Sequence, residues 1–249
     1  MIKICADDLL SKEKEIQKRQ FSSLYNTVGK NIQNVLPLER KLIVLFDIVG
    51  FSKCDTYKQW ADIMLFQHYL KSETFRNKFI LKQVNVTHFV PTGDGCYLIA
   101  DECEPETALG FVFSILQGFQ CVQPDDEFPM SLRASALLGD VVPFMDLAMH
   151  KNYLGEGMNE GSRILTYGQK TLEDDFFERA KKERNGNAPL NEEVKMFSRN
   201  SLFLGDSLSA FVKDYVEKST GLYFYENVPD KHGKTRNITV LQGIKPLEE

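Results

Sequence analysis

"LIVLFDIVGFSKCD", residues 42–55, places one carboxylate, Asp47, at the end of five consecutive apolar residues. Such a run has the length and continuity of a strand buried on both faces, at the centre of a sheet. A carboxylate there is costly to desolvate unless it is paired, hydrogen-bonded or bound to a cation. Working outward, a helix of about 25 residues is predicted from Tyr57. "QVNVTHFVPTGDGCYLIA", 83–100, reads as a strand, a tight Gly-Asp-Gly turn and a second strand, a hairpin with Asp94 at its tip. "EPETALGFVFSILQGFQ" predicts a helix starting near Pro105, and "MSLRASALLGDVVPFMD" a strand interrupted at Gly-Asp. A helix from about Met158 to Tyr167 follows. The order β-α-β-β-α-β predicts an α+β fold with a ferredoxin-like core.

In that core Asp47 and Asp94 meet at one edge of the sheet. Two carboxylates alone repel each other. A divalent cation removes the repulsion, and Mg²⁺ or Mn²⁺ characteristically takes one or two protein carboxylates together with nucleotide phosphates. Gly50, Gly93 and Gly95 leave room for backbone to approach phosphate oxygens.

Outside the core, Ile16, Leu24, Val28, Ile32 and Val35, with Phe21 and Tyr25, recur at helical spacing, so residues 1–39 read as an amphipathic helical segment ending before Pro37. Its face is not rich in both aromatic and basic residues, which favours packing on a dimer over a membrane. Residues 168–199 are markedly polar and contain Asn-Gly-Asn before Pro189; they read as a helical insertion with a mobile tip, either sensing a trigger or simply tolerated. A short strand "SLFLG", a helix through Asp206–Lys218 and strands around "GLYFYE" and "RNITVLQGI" complete the chain. Apolar runs are only of strand length and the N-terminus lacks a secretory pattern, so a soluble cytoplasmic protein is expected. The five cysteines form no CxxC arrangement, arguing against a disulfide framework or structural zinc. With a net charge of −5 and basic residues interspersed with acidic ones, no nucleic-acid partner is expected.

"FDIVGFS" at 46–52, "TGDG" at 92–95, "RASALLGDVV" at 133–142 and "YLGEGMNEGSRI" at 153–164 resemble, in order and spacing, the class III nucleotidyl cyclase domain, the adenylate and guanylate cyclase family. The resemblance covers residues 40–245 or so, and implies a catalytic domain over 40–249. It implies that Asp47 and Asp94, with the Ile48 carbonyl, bind two Mg²⁺ or Mn²⁺ ions. Asn159 and Arg163 match the family's transition-state pair, one helical turn apart. Asn159 would orient the ribose and Arg163 would offset charge developing on the α-phosphate. Gly50, Phe51 and Lys234 fall where the family contacts substrate phosphates, although Lys231 lies close to Lys234. Arg133 divides between a structural ion pair and a phosphate contact. The implied reaction is attack of a nucleoside triphosphate's 3′-hydroxyl on its own α-phosphate, expelling pyrophosphate. In the family the two aspartates come from one protomer and the asparagine and arginine from the other, so the resemblance implies a head-to-tail homodimer.

The chain departs from the family where the base is read. Purine cyclases place lysine or glutamate where this chain has Val90, and adenylate cyclases place aspartate where it has Asn152. Valine cannot hydrogen-bond a base edge. An apolar wall beside an amide suits a smaller ring, and in this the chain resembles the pyrimidine cyclases of the Pycsar antiphage systems. That implies UTP or CTP as substrate, with a slight preference for UTP, and cUMP or cCMP acting on a separate effector in antiviral defence. The alternatives are a purine cyclase with an unusual pocket, and a non-catalytic nucleotide-binding regulatory module.

Overall fold

The computed structural model describes residues 14–20, 22–23, 38–77, 82–121, 130–147 and 149–246. Its contacts group into two units, Met1–Glu39 and Arg40–Glu249. In the first, residues 14–20 and 22–23 are helical. Apart from Ile16, the apolar stripe expected there lies outside the described residues.

The second unit is built on an eight-stranded sheet. Its strands are β1 (Glu39–Ile48), β2 (Val86–Pro91), β3 (Gly95–Asp101), β4 (Leu132–Met145), β5 (Lys151–Leu154), β6 (Ser201–Leu204), β7 (Gly221–Pro229) and β8 (Thr235–Gln242). The order is β2-β3-β1-β4-β6-β8-β7, with β5 on the outer half of β4. Helices α1 (Thr56–Arg76) and α2 (Pro105–Cys121) complete the βαββαβ unit, and strands β2-β3-β1-β4 have the ferredoxin-like order.

Strand β1 alternates between two cores. Leu42, Val44, Phe46 and Ile48 pack into one cluster with α1 and α2, where Phe66 meets Phe46 edge-on at 5.8 Å between centroids. Ile43 and Leu45 pack on the opposite face with Ile164, Leu165 and Leu172 of α3 (Glu156–Glu183). Burial on both faces is why the run is continuously apolar. Alternation puts Asp47 on the α3 face.

Two glycines set the close approaches around this strand. Gly95 pairs with Asp47, and a Cβ at Gly95 would lie 2.0 Å from the Phe46 carbonyl oxygen. A Cβ at Gly157, in the first turn of α3, would lie 2.4 Å from Ile43 Cδ1 and 3.1 Å from the Gly139 carbonyl carbon of β4. The Gly139–Asp140 pair, read from sequence as an interruption, therefore lies inside a continuous β4 of 14 residues. It marks where a helix crosses the strand, not where the strand breaks.

Three other expectations are corrected. Helix α3 runs 28 residues, far past Tyr167, because Gly168, Leu172 and Ala180 form a narrow buried stripe inside polar sequence. The segment 168–199 is thus the second half of α3, a turn, and α4 (Asn191–Phe197). The helix expected over Asp206–Lys218 divides into α5 (Asp206–Ser209) and a 3-10 helix, Val212–Lys218. Strand β5, only four residues long, was not anticipated.

Candidate active site

Asp47 ends β1 and Asp94 sits in the β2–β3 turn, where its carbonyl accepts the Ile48 amide at 2.9 Å. Asp94 lies close enough to Asp47 for its charge to act on the Asp47 carboxyl. Burial pushes the Asp47 carboxyl above the usual range, the Arg133 guanidinium pulls it back, and Asp94 pushes it up again. Arg133, at the start of β4, donates to Asp47 Oδ2 from Nε at 3.1 Å and Nη2 at 2.5 Å, and its Nη1 lies 3.7 Å from Glu173 of α3. One guanidinium shared between two carboxylates does not cancel the charge of the Asp47–Asp94 pair, so this donor set fits a divalent cation. Among the described residues no three metal-ligating side chains converge.

Gly50 follows with φ +79°, and Phe51–Lys53 form a 3-10 turn in which Lys53 N–H donates to the Gly50 carbonyl at 3.0 Å. Gln59 of α1 braces the turn by donating to the Phe51 carbonyl at 3.1 Å, and Asp55 caps α1 by accepting from the Lys58 amide at 2.9 Å.

Val90 and Asn152 come together. Both line a cleft of about 500 Å³ between β2 and the β4–β5 hairpin, with His88, Pro91 and Lys151 also in its wall. Val90 is half-buried against the α3-side core. Asn152 Oδ1 accepts the Tyr153 amide at 2.8 Å. That N–H is only a donor, so it fixes the orientation of the Asn152 amide.

Asn159 is exposed on α3, and Arg163 one turn on is held among carboxylates. Its Nη1 donates to Glu156 Oε1 at 2.8 Å and lies 3.7 Å from Glu160 Oε2, while its Nε lies 3.6 Å from Asp230 Oδ2. Arg236 of β8 anchors these acids, donating to Glu160 at 2.7 Å and Asp230 at 3.0 Å. Burial raises the Asp230 carboxyl, but hydrogen bonds from Arg236 and from the His232 and Lys234 amides outweigh it and bring it to about 2. Lys234 is exposed in the β7–β8 turn, its ammonium 3.9 Å from Glu156, whereas the Lys231 amide donates to the Tyr167 hydroxyl at 3.0 Å. Sequence reasoning missed Glu156, Glu160, Glu173, Asp230 and Arg236. Charged residues at helical spacing read as a solvated face, and only Arg236, inside an apolar strand, carried a signal.

The site residues thus form two groups. Arg163 and Glu173 are ten residues apart on α3, about 15 Å along its axis. Glu173 touches Arg133, which holds Asp47. Arg163 is paired with Glu156, Glu160 and Asp230, and Asp47 with Arg133, so the two groups have separate partners.

No protein-family model matches the sequence, and no curated protein does. Solved structures do match. The catalytic core of a rhodopsin-guanylyl cyclase with converted specificity, in complex with ATPαS, superposes with a TM-score of 0.54 at 15% identity, over 85% of this chain and 99% of that one. The guanylate cyclase domain of RhGC from Catenaria anguillulae, in complex with GTP, gives 0.53 at 15% identity, over 84% and 99%. The fold is that of a class III nucleotidyl cyclase catalytic domain. The adenylyl cyclase CyaB from P. aeruginosa shares the cyclase fold with a TM-score of 0.50 at 11% identity, over 86% of this chain and 97% of that one.

Proposed function

We propose that the chain is a nucleotidyl cyclase that closes a nucleoside triphosphate, UTP before CTP, into its 3′,5′-cyclic monophosphate with release of pyrophosphate. The observation that carries this reading is the Asp47–Asp94 carboxylate pair at the strand-end position of a cyclase fold. Asp47 and Asp94, with the Ile48 carbonyl, would hold Mg²⁺ or Mn²⁺, which when bound supplies a lowered 3′-hydroxyl pKa and charge neutralisation on the departing phosphates. The chain's own groups do the rest. Arg133 favours the ionised form of Asp47 and orients it, Gly50 and Phe51 present backbone to the phosphates, and Lys234 contributes an exposed positive charge. Asn159 orients the ribose, and Arg163 faces the α-phosphate as its equatorial oxygens gain charge.

Arg163 stands about 15 Å along α3 from Glu173, the residue of that helix that reaches the Arg133–Asp47 pair, so a complete site calls for a second copy arranged head to tail. Met145, Leu147, Met149 and Leu154 at the β4–β5 hairpin are large apolar side chains left exposed, as a dimer surface requires.

Two features support a pyrimidine. Val90 offers the base edge no hydrogen bond, and Asn152, with Oδ1 engaged by the Tyr153 amide, keeps its NH₂ as the free donor. A donor suits the O4 carbonyl of uracil and not the N4 amine of cytosine. The product would act on a separate effector, in keeping with the antiphage systems the sequence resembles. Among the described residues no helix is long and apolar enough to cross a membrane.

The deciding experiment offers equimolar ATP, GTP, CTP and UTP with Mn²⁺ and resolves the products by mass. Cyclic UMP as the main product is the expected result. A cyclic purine would keep the cyclase and discard the pyrimidine assignment, and binding without any product would leave a nucleotide-binding module.

A further inference from the structure

Arg236 lies on β8 two residues before Ile238, which packs in the α3-side core, so strand alternation turns it toward the same face. Its side chain is only 7% exposed, and that of its partner Asp230 is 0% exposed. A guanidinium in such a place is costly to desolvate, and among the described residues its buried Nη1 has no hydrogen-bond partner. An apolar side chain of similar volume would fill the space without that cost. What Arg236 supplies and an apolar residue does not is a rigid fork of donors that fixes two carboxylates at once.

Those two carboxylates are the ones that flank Arg163. Glu160 divides its oxygens: Oε1 accepts from Arg236 Nε at 2.7 Å, and Oε2 lies 3.7 Å from Arg163 Nη1. Asp230 shares a single oxygen, Oδ2, which accepts from Arg236 Nη2 at 3.0 Å and lies 3.6 Å from Arg163 Nε. Its Oδ1 accepts the His232 and Lys234 amides at 2.8 and 3.0 Å, so the β7–β8 turn fixes this carboxylate from its other side. The Tyr167 ring, its centroid 5.7 Å from the Arg236 guanidinium carbon, borders the arrangement. Arg163 makes its one short contact, 2.8 Å, to Glu156, whose side chain is 64% exposed. Exposed pairs of that kind hold weakly. The firmer frame around the Arg163 guanidinium is therefore Glu160 and Asp230, and Arg236 sets that frame.

We propose that Arg236 is a positioning residue for Arg163, acting through Glu160 and Asp230 and touching no substrate itself. That the positioned guanidinium serves the α-phosphate rests on the cyclase reading; the positioning does not.

The test combines nitrogen-15 NMR of the arginine Nε–H groups with steady-state kinetics, both on the full chain. The Arg163 signal is assigned as the one missing in Arg163→Lys. In wild type it is expected to be resolved and slow to exchange with solvent, and in Arg236→Gln it should merge with the signals of exposed arginines. The same variant should lower kcat by about tenfold to a hundredfold with KM little changed, because Arg163 acts on charge that develops in the transition state. Arg236→Lys, which keeps the charge without the fork, should recover part of the loss. Glu160→Gln, made on the helix surface, leaves β8 untouched and should give the same signature in weaker form, so the test survives if Arg236→Gln does not fold. An Arg163 signal unchanged in the variants, or already averaged in wild type, overturns the positioning role. So does a raised KM with kcat unchanged. Should wild type form no cyclic product from any of the four nucleotides, the cyclase reading fails, while loss of the Arg163 signal in Arg236→Gln still upholds the positioning.

Discussion

Asp47 concentrates the chemistry of one half of the site, and its protonation sets a measurable limit. Burial raises its carboxyl, Arg133 lowers it, Asp94 raises it, and the outcome lies above the ordinary carboxylate value. The ionised form is the one that binds a cation, so affinity should fall on acidification at a pH above the range of an isolated aspartate. Mn²⁺ titrations from pH 7 downward should show this early loss. Asp94→Ala should shift the loss to lower pH, because a charge that raises Asp47 is gone. The same variant should reduce turnover at least about a hundredfold while leaving the mass in solution unchanged, since the turn is exposed and no core contact is removed. Normal activity in Asp94→Ala would sink the metal assignment.

At the scale of the element, the second half of α3 discriminates a structural helix from an insertion. Leu172 is fully buried, on the core side that holds Ile43 and Phe203. Leu172→Ala should destabilise by about 2–5 kcal/mol in urea unfolding, whereas a substitution in a merely tolerated segment would stay within about 0.5 kcal/mol. The β7–β8 hairpin gives a pH test. Asp230 has its carboxyl lowered to about 2, so its contribution is complete above the unfolded aspartate value near 4 and is lost as pH falls through about 2. Asp230→Asn should flatten the acid decline of stability between those values, and should loosen Arg236 and with it the acids around Arg163. A variant that unfolds in acid as wild type does would show that the hairpin network carries no linkage.

At the scale of the whole molecule, the separation of the two half-sites along α3 makes a quantitative prediction. Asp94→Ala lacks one half and Arg163→Ala the other, so each alone should be inactive. Mixed and allowed to exchange, half of the dimers are heterodimers with one intact site, and about a quarter of wild-type activity should return. Two inactive variants that stay inactive when mixed, despite proven exchange, would exclude sites shared between protomers.

The sequence by itself determined the local frame. Five apolar residues before Asp47 dictate a central strand because both of its faces are buried, and Gly-Asp-Gly dictates a hairpin tip because the turn needs glycine freedom. Together these bring Asp47 beside Asp94. It also paired Val90 with Asn152, 62 positions apart, through the resemblance of its motifs. What only the tertiary structure decided depends on contacts between distant segments. Gly139 reads locally as a break, yet it is the space α3 needs to cross β4. Leu172 and Ala180 are too sparse a stripe to announce a buried helix until Phe203 of β6 and Ile238 of β8 supply the face that Leu172 covers. Lys195 and Arg199 are ordinary surface charges in the chain, and come to line one cavity with Ile48 and Arg133 only because α4 folds back against the strand end that carries Asp47. Local propensity and pattern act over a few residues, whereas charge and close packing act through space, so the carboxylate pair was legible in advance and the cationic wall beside it was not.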